Sequence, residues 1–251
     1  MIPVVLHHGL FGSDELRLGP LRRSYFHKID HAIAERGHLV IASRVHPTAS
    51  VVKRAKQLKR QILQRLEMAG QTNARVLLIA HSMGGLDARF MVSKLGMARH
   101  VAAVLTICTP HRGSPYADWI ERNLGRRIGL LPVLRKIGWD LSAGIDLTTE
   151  QCARFNEQVP DHPDVRYASI NCVRAWHQMP AFAMHSHAIV SAAEGDNDGL
   201  VSAASSVWGT HLSTWPVDHW QAVNRRFAIR HPSEDMSPEY LAVLDRFLKD
   251  I

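Results

Sequence analysis

Arg75-Val76-Leu77-Leu78-Ile79-Ala80-His81-Ser82-Met83-Gly84-Gly85-Leu86 is the most informative stretch of this 251-residue chain. Its first half is an unbroken apolar run, the pattern of a strand buried on both faces. A serine follows, with small residues two positions before and two after it, and an apolar helical pattern then begins. This is a nucleophile elbow: a sharp strand-to-helix turn holds the serine in a strained conformation with its hydroxyl clear of the sheet. Ala80 and Gly84 let strand and helix approach each other. Alanine at the position usually taken by glycine keeps that steric condition.

Outward from the elbow, short β-branched runs alternate with longer helical patterns. The runs at 2–6, 39–45, 75–80, 101–107, 165–170 and 188–192 read as strands. Residues 51–68 place Val51, Ala55, Leu58, Ile62 and Leu66 at helical spacing, with a basic opposite face, carrying Lys53, Arg54, Lys56, Lys59, Arg60 and Arg65, that reads as a solvated surface. Helices are also expected over 86–95 and 238–249, the latter with Ser237 as N-cap and Pro238 at the first helical position. This order predicts an α/β fold with a mainly parallel central sheet and helices on both faces. The expected organisation is one domain, 1–251, with an inserted cap or lid at about 115–163, where glycines and prolines break the alternation.

Composition excludes several classes. With 46% hydrophobic and 21% charged residues, the chain builds an ordinary core and is neither fibrous nor disordered. Cys108, Cys152 and Cys172 are odd in number and widely spaced, which suits neither a disulfide framework nor a zinc site. No apolar run reaches the length of a membrane span. No signal peptide is visible, so the chain reads as cytoplasmic, or as secreted if its numbering starts at a mature N-terminus. The net charge of +7 raises nucleic acid as a partner, but no zinc finger, aromatic ribonucleoprotein motif or recognition helix accompanies it, and none is expected to bind.

A nucleophilic serine needs a base to take its proton and donors to hold the oxyanion that forms. His7-His8-Gly9-Leu10-Phe11-Gly12 follows the first strand, and its turn brings main-chain N–H groups toward the serine. The N–H groups of Leu10 and Met83 are the expected oxyanion hole. Acid and base follow the serine in α/β-hydrolases. Asp198, in an acidic turn, orients the base, with Asp196 as the alternative acid. His219, downstream of that turn and before the last helix, is the expected base. Phe11 is expected to contact substrate. The reaction is hydrolysis of a carboxylic ester through an acyl-enzyme. An acyltransferase or amidase using the same residues is the nearest alternative, and a non-catalytic binding protein a more distant one.

The blocks His8-Gly9-Leu10-Phe11-Gly12, Ala80-His81-Ser82-Met83-Gly84-Gly85, Thr109-Pro110-His111-Arg112-Gly113-Ser114, Leu147-Thr148-Thr149-Glu150 with Phe155-Asn156, Asn197-Asp198-Gly199-Leu200-Val201 and Asp218-His219-Trp220 stand in a telling order. Together they resemble the bacterial triacylglycerol lipases of the pseudomonad type, within the α/β-hydrolase superfamily. The resemblance implies Ser82, Asp198 and His219 as the catalytic triad and a mobile helical lid near 119–139. It also implies a structural calcium near the histidine loop, but its ligand positions are Gln221 and Arg225 here. An arginine repels a cation and the carboxylate is absent, so no metal and no cofactor are expected. Most of the positive charge is local, at net +5 over 51–69 and +3 over 121–140. The second stretch lies in the expected lid, where it suits transient contact with an anionic lipid interface.

Overall fold

The computed structural model describes residues 1–12, 15–18, 21–125, 142–225, 227 and 235–249. Six parallel strands form the central sheet: β1 (Val4–His7), β4 (Val40–Ala42), β5 (Val76–His81), β6 (Val101–Ile107), β7 (Arg166–Cys172) and β8 (Thr210–Trp215), in the spatial order β4-β1-β5-β6-β7-β8. A separate antiparallel pair, β2 (Glu15–Leu18) with β3 (Leu21–Ser24), follows the first turn.

The pleat explains why the strands are apolar throughout. Leu77 and Ile79 point to one face of the sheet, where they join Val4, Leu6, Phe26, Ile29, Ile33, Tyr240 and Leu244. Leu78 and Ala80 point to the other and join Val5, Ile41, Leu58, Ile62 and Met91. The first face is covered by helix α1 (Ile29–Glu35) and the C-terminal helix Ser237–Leu248. The second is covered by α2 (Val51–Met68) and α3 (Gly84–Lys94). Both faces are therefore dry, and β5 at the centre delivers its C-terminal end into a rigid setting.

Three local expectations are corrected. Residues 188–192 are not a strand but lie inside the helix Met184–Glu194, whose His187 and Val190 share one buried stripe. The sheet position beside β7 belongs to β8, a polar segment that the apolar-run criterion passes over. At the last helix Ser237 is itself helical and its side chain caps nothing; Asp235 Oδ1 instead accepts the Ser237 N–H and hydroxyl at 2.9 and 2.7 Å. A fourth correction concerns α2: Arg54 is fully buried and does not belong to the solvated basic face.

Between β6 and β7 the chain forms the helices Pro115–Ile120, Ser142–Asp146 and Thr149–Gln158. Most of the expected lid, residues 126–141, lies outside the described residues, and with it the greater part of the basic stretch. Among the described residues no helix is long and apolar enough to cross a membrane.

Candidate active site

Ser82 sits between β5 and α3 with φ 56°, in the left-handed region that a non-glycine residue enters only when its surroundings hold it there. Its N–H donates to Ile107 O at 2.9 Å, and its carbonyl accepts the Thr109 hydroxyl at 2.8 Å. The glycines after it are required by approach. A Cβ at Gly84 would lie 2.9 Å from the carbonyls of His7 and His8, and one at Gly85 would lie 2.3 Å from Thr109 Oγ1.

His219 arrives from the loop after β8, and Asp198 from the turn after the helix Met184–Glu194. His219 Nε2 lies 3.0 Å from Ser82 Oγ, and its Nδ1 lies 2.7 Å from Asp198 Oδ2. Because the carboxylate accepts at Nδ1, the proton of the neutral ring is there and Nε2 is free to accept from the serine. Asp198 is fully buried, and its Oδ1 accepts the N–H groups of Leu200 and Val201 at 2.9 and 2.8 Å. Its main-chain carbonyl also accepts His219 N–H at 2.9 Å, so Asp198 holds His219 twice. Asp196, the alternative, is exposed to solvent, and Glu194 bonds Ser202.

The turn after β1 is tied down by its carbonyls. Arg54 Nη2 donates to His8 O at 2.6 Å, and His8 Nδ1 donates to Gly9 O at 2.9 Å. Burial first, and the Arg54 charge second, hold His8 well below the usual histidine range, so its ring is neutral. A Cβ at Gly9 would lie 2.6 Å from Ser82 Cβ, which places the main chain leading to Leu10 against Ser82. Among the described turn and loop bonds, neither Leu10 N–H nor Met83 N–H donates to a main-chain carbonyl. The Met83 side chain is buried with Val51, Leu86 and Leu147. Phe11 is 65% exposed, at φ 53° on the same turn.

Comparison with known proteins follows the same lines. A PGAP1-like alpha/beta domain model matches residues 44–130, which include the elbow. Triacylglycerol lipase 2 of Saccharomyces cerevisiae is 31% identical over 84% of this chain, which spans 66% of the yeast protein, just under two thirds of its length. The triacylglycerol lipase of Pseudomonas fragi is 30% identical over 88% of this chain and 87% of its own. The chain belongs to the triacylglycerol lipase family. At the level of fold, the mature lipase of Bacillus licheniformis superposes with a TM-score of 0.72 at 21% identity, covering 97% of this chain and 91% of that one.

As a member of that family the protein carries further features that close the site. The block at 109–114 links the elbow to the acid loop: Ser114 Oγ donates to Leu200 O at 2.6 Å, and Arg112 N–H donates to Ser205 Oγ at 3.1 Å. Asn156 Nδ2 donates to His111 O at 2.8 Å, which explains why Phe155-Asn156 accompanies that block. His81, Cys108 and His219 place one donor atom each within 4.8 Å of one another. Both nitrogens of His81 and both of His219 are already hydrogen-bonded, so the group does not form a free metal site. At the positions where a calcium set is implied, Gln221 is buried and the Arg225 guanidinium lies 4.1 Å from the Tyr25 ring centroid. The donor set does not fit a cation.

Sequence reading missed two groups beside His219. Tyr25 and His81 form one, and only the histidine stands in a recognised block. The other is a solvent-facing aromatic cluster in which Phe182 meets Trp220 at 4.8 Å and Phe227 at 5.5 Å, both edge-on. Phe182 and Phe227 are 59% and 50% exposed, and Trp220 is the residue after His219. Phe182 lies 38 positions before Trp220, so no local pattern announces the cluster.

Proposed function

We propose that this chain is a serine carboxylic ester hydrolase, a lipase or esterase that works through an acyl-enzyme. The observation that carries the reading is the continuous path Ser82 Oγ, His219 Nε2, His219 Nδ1, Asp198 Oδ2, at 3.0 and 2.7 Å, ending in a buried carboxylate. In this reaction Ser82 Oγ attacks the ester carbonyl as its proton passes to His219 Nε2, and Asp198 stabilises the imidazolium. The tetrahedral oxyanion receives the N–H groups of Leu10 and Met83. His219 then protonates the departing alcohol, and water repeats the sequence to release the acid. No cofactor enters any step.

The substrate side has support too. Phe182 and Phe227 present apolar rings to solvent against the half-buried Trp220 beside the base, and Phe11 does so on the oxyanion turn, which suits an ester with an apolar acyl chain or a lipid surface. The cap at about 115–163 and transient anionic-lipid contact through its basic stretch belong to the same reading, with the whole chain as one domain. Three buried free thiols suit a reducing, cytoplasmic compartment.

The test is hydrolysis of p-nitrophenyl esters, with covalent labelling of Ser82 by a fluorophosphonate. We expect turnover and labelling in the wild-type chain and neither in folded Ser82→Ala. Retained turnover in that variant would sink the reading, and so would a wild-type protein that neither turns over nor labels. A series from acetate to long-chain esters, with competing alcohols present, then separates esterase, lipase and acyltransferase.

A further inference from the structure

Tyr25 is 5% exposed and His81 1%, and neither takes part in the chemistry above. His81 Nε2 lies 3.0 Å from the main-chain carbonyl of His219. A carbonyl only accepts, so Nε2 carries the proton of the ring. Nδ1 of the neutral ring is then bare, and the Tyr25 hydroxyl, 2.8 Å away, donates to it. The Tyr25 oxygen in turn receives the Gly9 N–H at 3.4 Å. The direction of every hydrogen bond is thereby determined, from Gly9 through Tyr25 and His81 to His219.

The path joins parts that must keep register. Gly9 precedes the Leu10 donor, His81 is covalently joined to Ser82, and the carbonyl at the end belongs to the base itself. The ring centroids of His81 and His219 are 4.7 Å apart. Burial chiefly, then the neighbouring His219 ring and the Arg225 charge, keep His81 well below the usual histidine range, so its ring is neutral. Arg225 adds a brace: its guanidinium lies over the Tyr25 ring, and its main-chain N–H donates to Trp220 O at 3.0 Å.

We propose that Tyr25 and His81 are positioning residues that lock the oxyanion turn, the nucleophile and the loop of the catalytic base into one arrangement. The proposal rests on the ester-hydrolase reading for its consequence in turnover, but its structural content stands apart from activity.

Two measurements test it on the full chain. The first is kcat and KM for a soluble p-nitrophenyl ester. His81→Phe, which removes both bonds, is expected to lower kcat on the order of 10- to 100-fold with KM within about twofold, as a small misplacement of reacting groups does. His81→Gln, which keeps a donor toward the His219 carbonyl, is expected to recover most of that loss. Tyr25→Phe, which keeps the ring, tests the hydroxyl alone should His81→Phe fail to fold, and its kcat is expected to fall about tenfold. The second is nitrogen NMR of the His81 ring at neutral pH, expected to show a bare Nδ1 and a protonated Nε2. Wild-type kcat in folded His81→Phe or in Tyr25→Phe overturns the proposal, as does a His81→Gln no better than His81→Phe, or a His81 ring protonated at Nδ1. An inactive wild-type chain with unlabelled Ser82 would refute the ester-hydrolase reading and leave the NMR result to judge the lock.

Discussion

Arg54 and Asp87, whose side chains are both wholly buried, meet at 2.7 Å beneath the turn that carries Leu10. Asp87 Oδ2 also receives His7 Nε2 at 2.8 Å, and the far end of the guanidinium donates to the carbonyls of His8 and His46. Helix α2 and helix α3 thus clamp the end of β1 with a charge pair inside the protein. Removing one partner of such a pair costs about 3–5 kcal/mol, because the other charge stays buried without its counterion. We expect Arg54→Met and Asp87→Ala each to lose stability on that scale in urea unfolding. The double replacement is expected to lose less than the sum of the two; additive losses would show that the pair is not a unit.

Asp198 and Asp196 are separable by replacement. Asp198→Asn leaves the shape of the turn but offers no carboxylate to His219 Nδ1, and kcat is expected to fall by roughly 10³- to 10⁴-fold. Asp196 is exposed and touches neither His219 nor Ser82. Asp196→Asn is therefore expected to keep kcat within about twofold of wild type. A reversal of these two outcomes in p-nitrophenyl ester assays would reassign the acid.

Acid stability follows from the buried imidazoles. Burial is the leading cause that lowers His7, His8, His81 and His111, the last three well below the usual value. In the unfolded chain each takes a proton near pH 6.5, whereas the folded chain resists it. Below pH 6.5 the unfolded state therefore binds more protons, so stability is fully present above that pH and declines as pH falls toward the lower folded values. The slope is at most about 1.4 kcal/mol per pH unit for each histidine. His111, whose Nε2 meets Thr106 Oγ1 at 3.0 Å, tests this away from the reacting groups. His111→Gln is expected to flatten the dependence of unfolding free energy on pH between about 6.5 and 5. An unchanged slope would remove His111 from the account.

The aromatic cluster beside His219 predicts a split between dissolved and dispersed substrates. Replacing Phe182 and Phe227 together by serine removes two exposed rings without entering the core. Hydrolysis of emulsified tributyrin is expected to drop by about tenfold, the equivalent of about 1.4 kcal/mol of surface affinity, while p-nitrophenyl acetate turnover stays within about twofold. Equal losses on both substrates would make the cluster part of the catalytic scaffold and not a contact for the interface.

Much of the fold was legible because its signals are local. Strands β1, β5 and β6 are apolar on both faces, and α2 repeats its apolar residues at helical spacing, so each announces itself within one element. β8 did not, since Thr210–Trp215 is a half-exposed edge strand with little apolar content. The run at 188–192 misled because a short apolar stretch suits strand and helix equally. Only its packing, with His187 and Val190 turned inward, selects the helix. Arg54 misled for another reason: a basic residue on a helix reads as solvated unless its counterion is visible, and Asp87 lies 33 positions away.

The sequence by itself determined that a serine stands at a strand-to-helix elbow, and that an acidic turn and a histidine follow it in order. Those facts rest on steric demands satisfied within a few residues. Which carboxylate faces His219, that a buried arginine holds the turn after β1, and that Tyr25 and His81 bridge that turn to His219 were decided only by the tertiary structure. Neighbouring residues of a turn point in different directions, and a hydrogen bond or buried charge pair forms only where the sheet brings distant segments together.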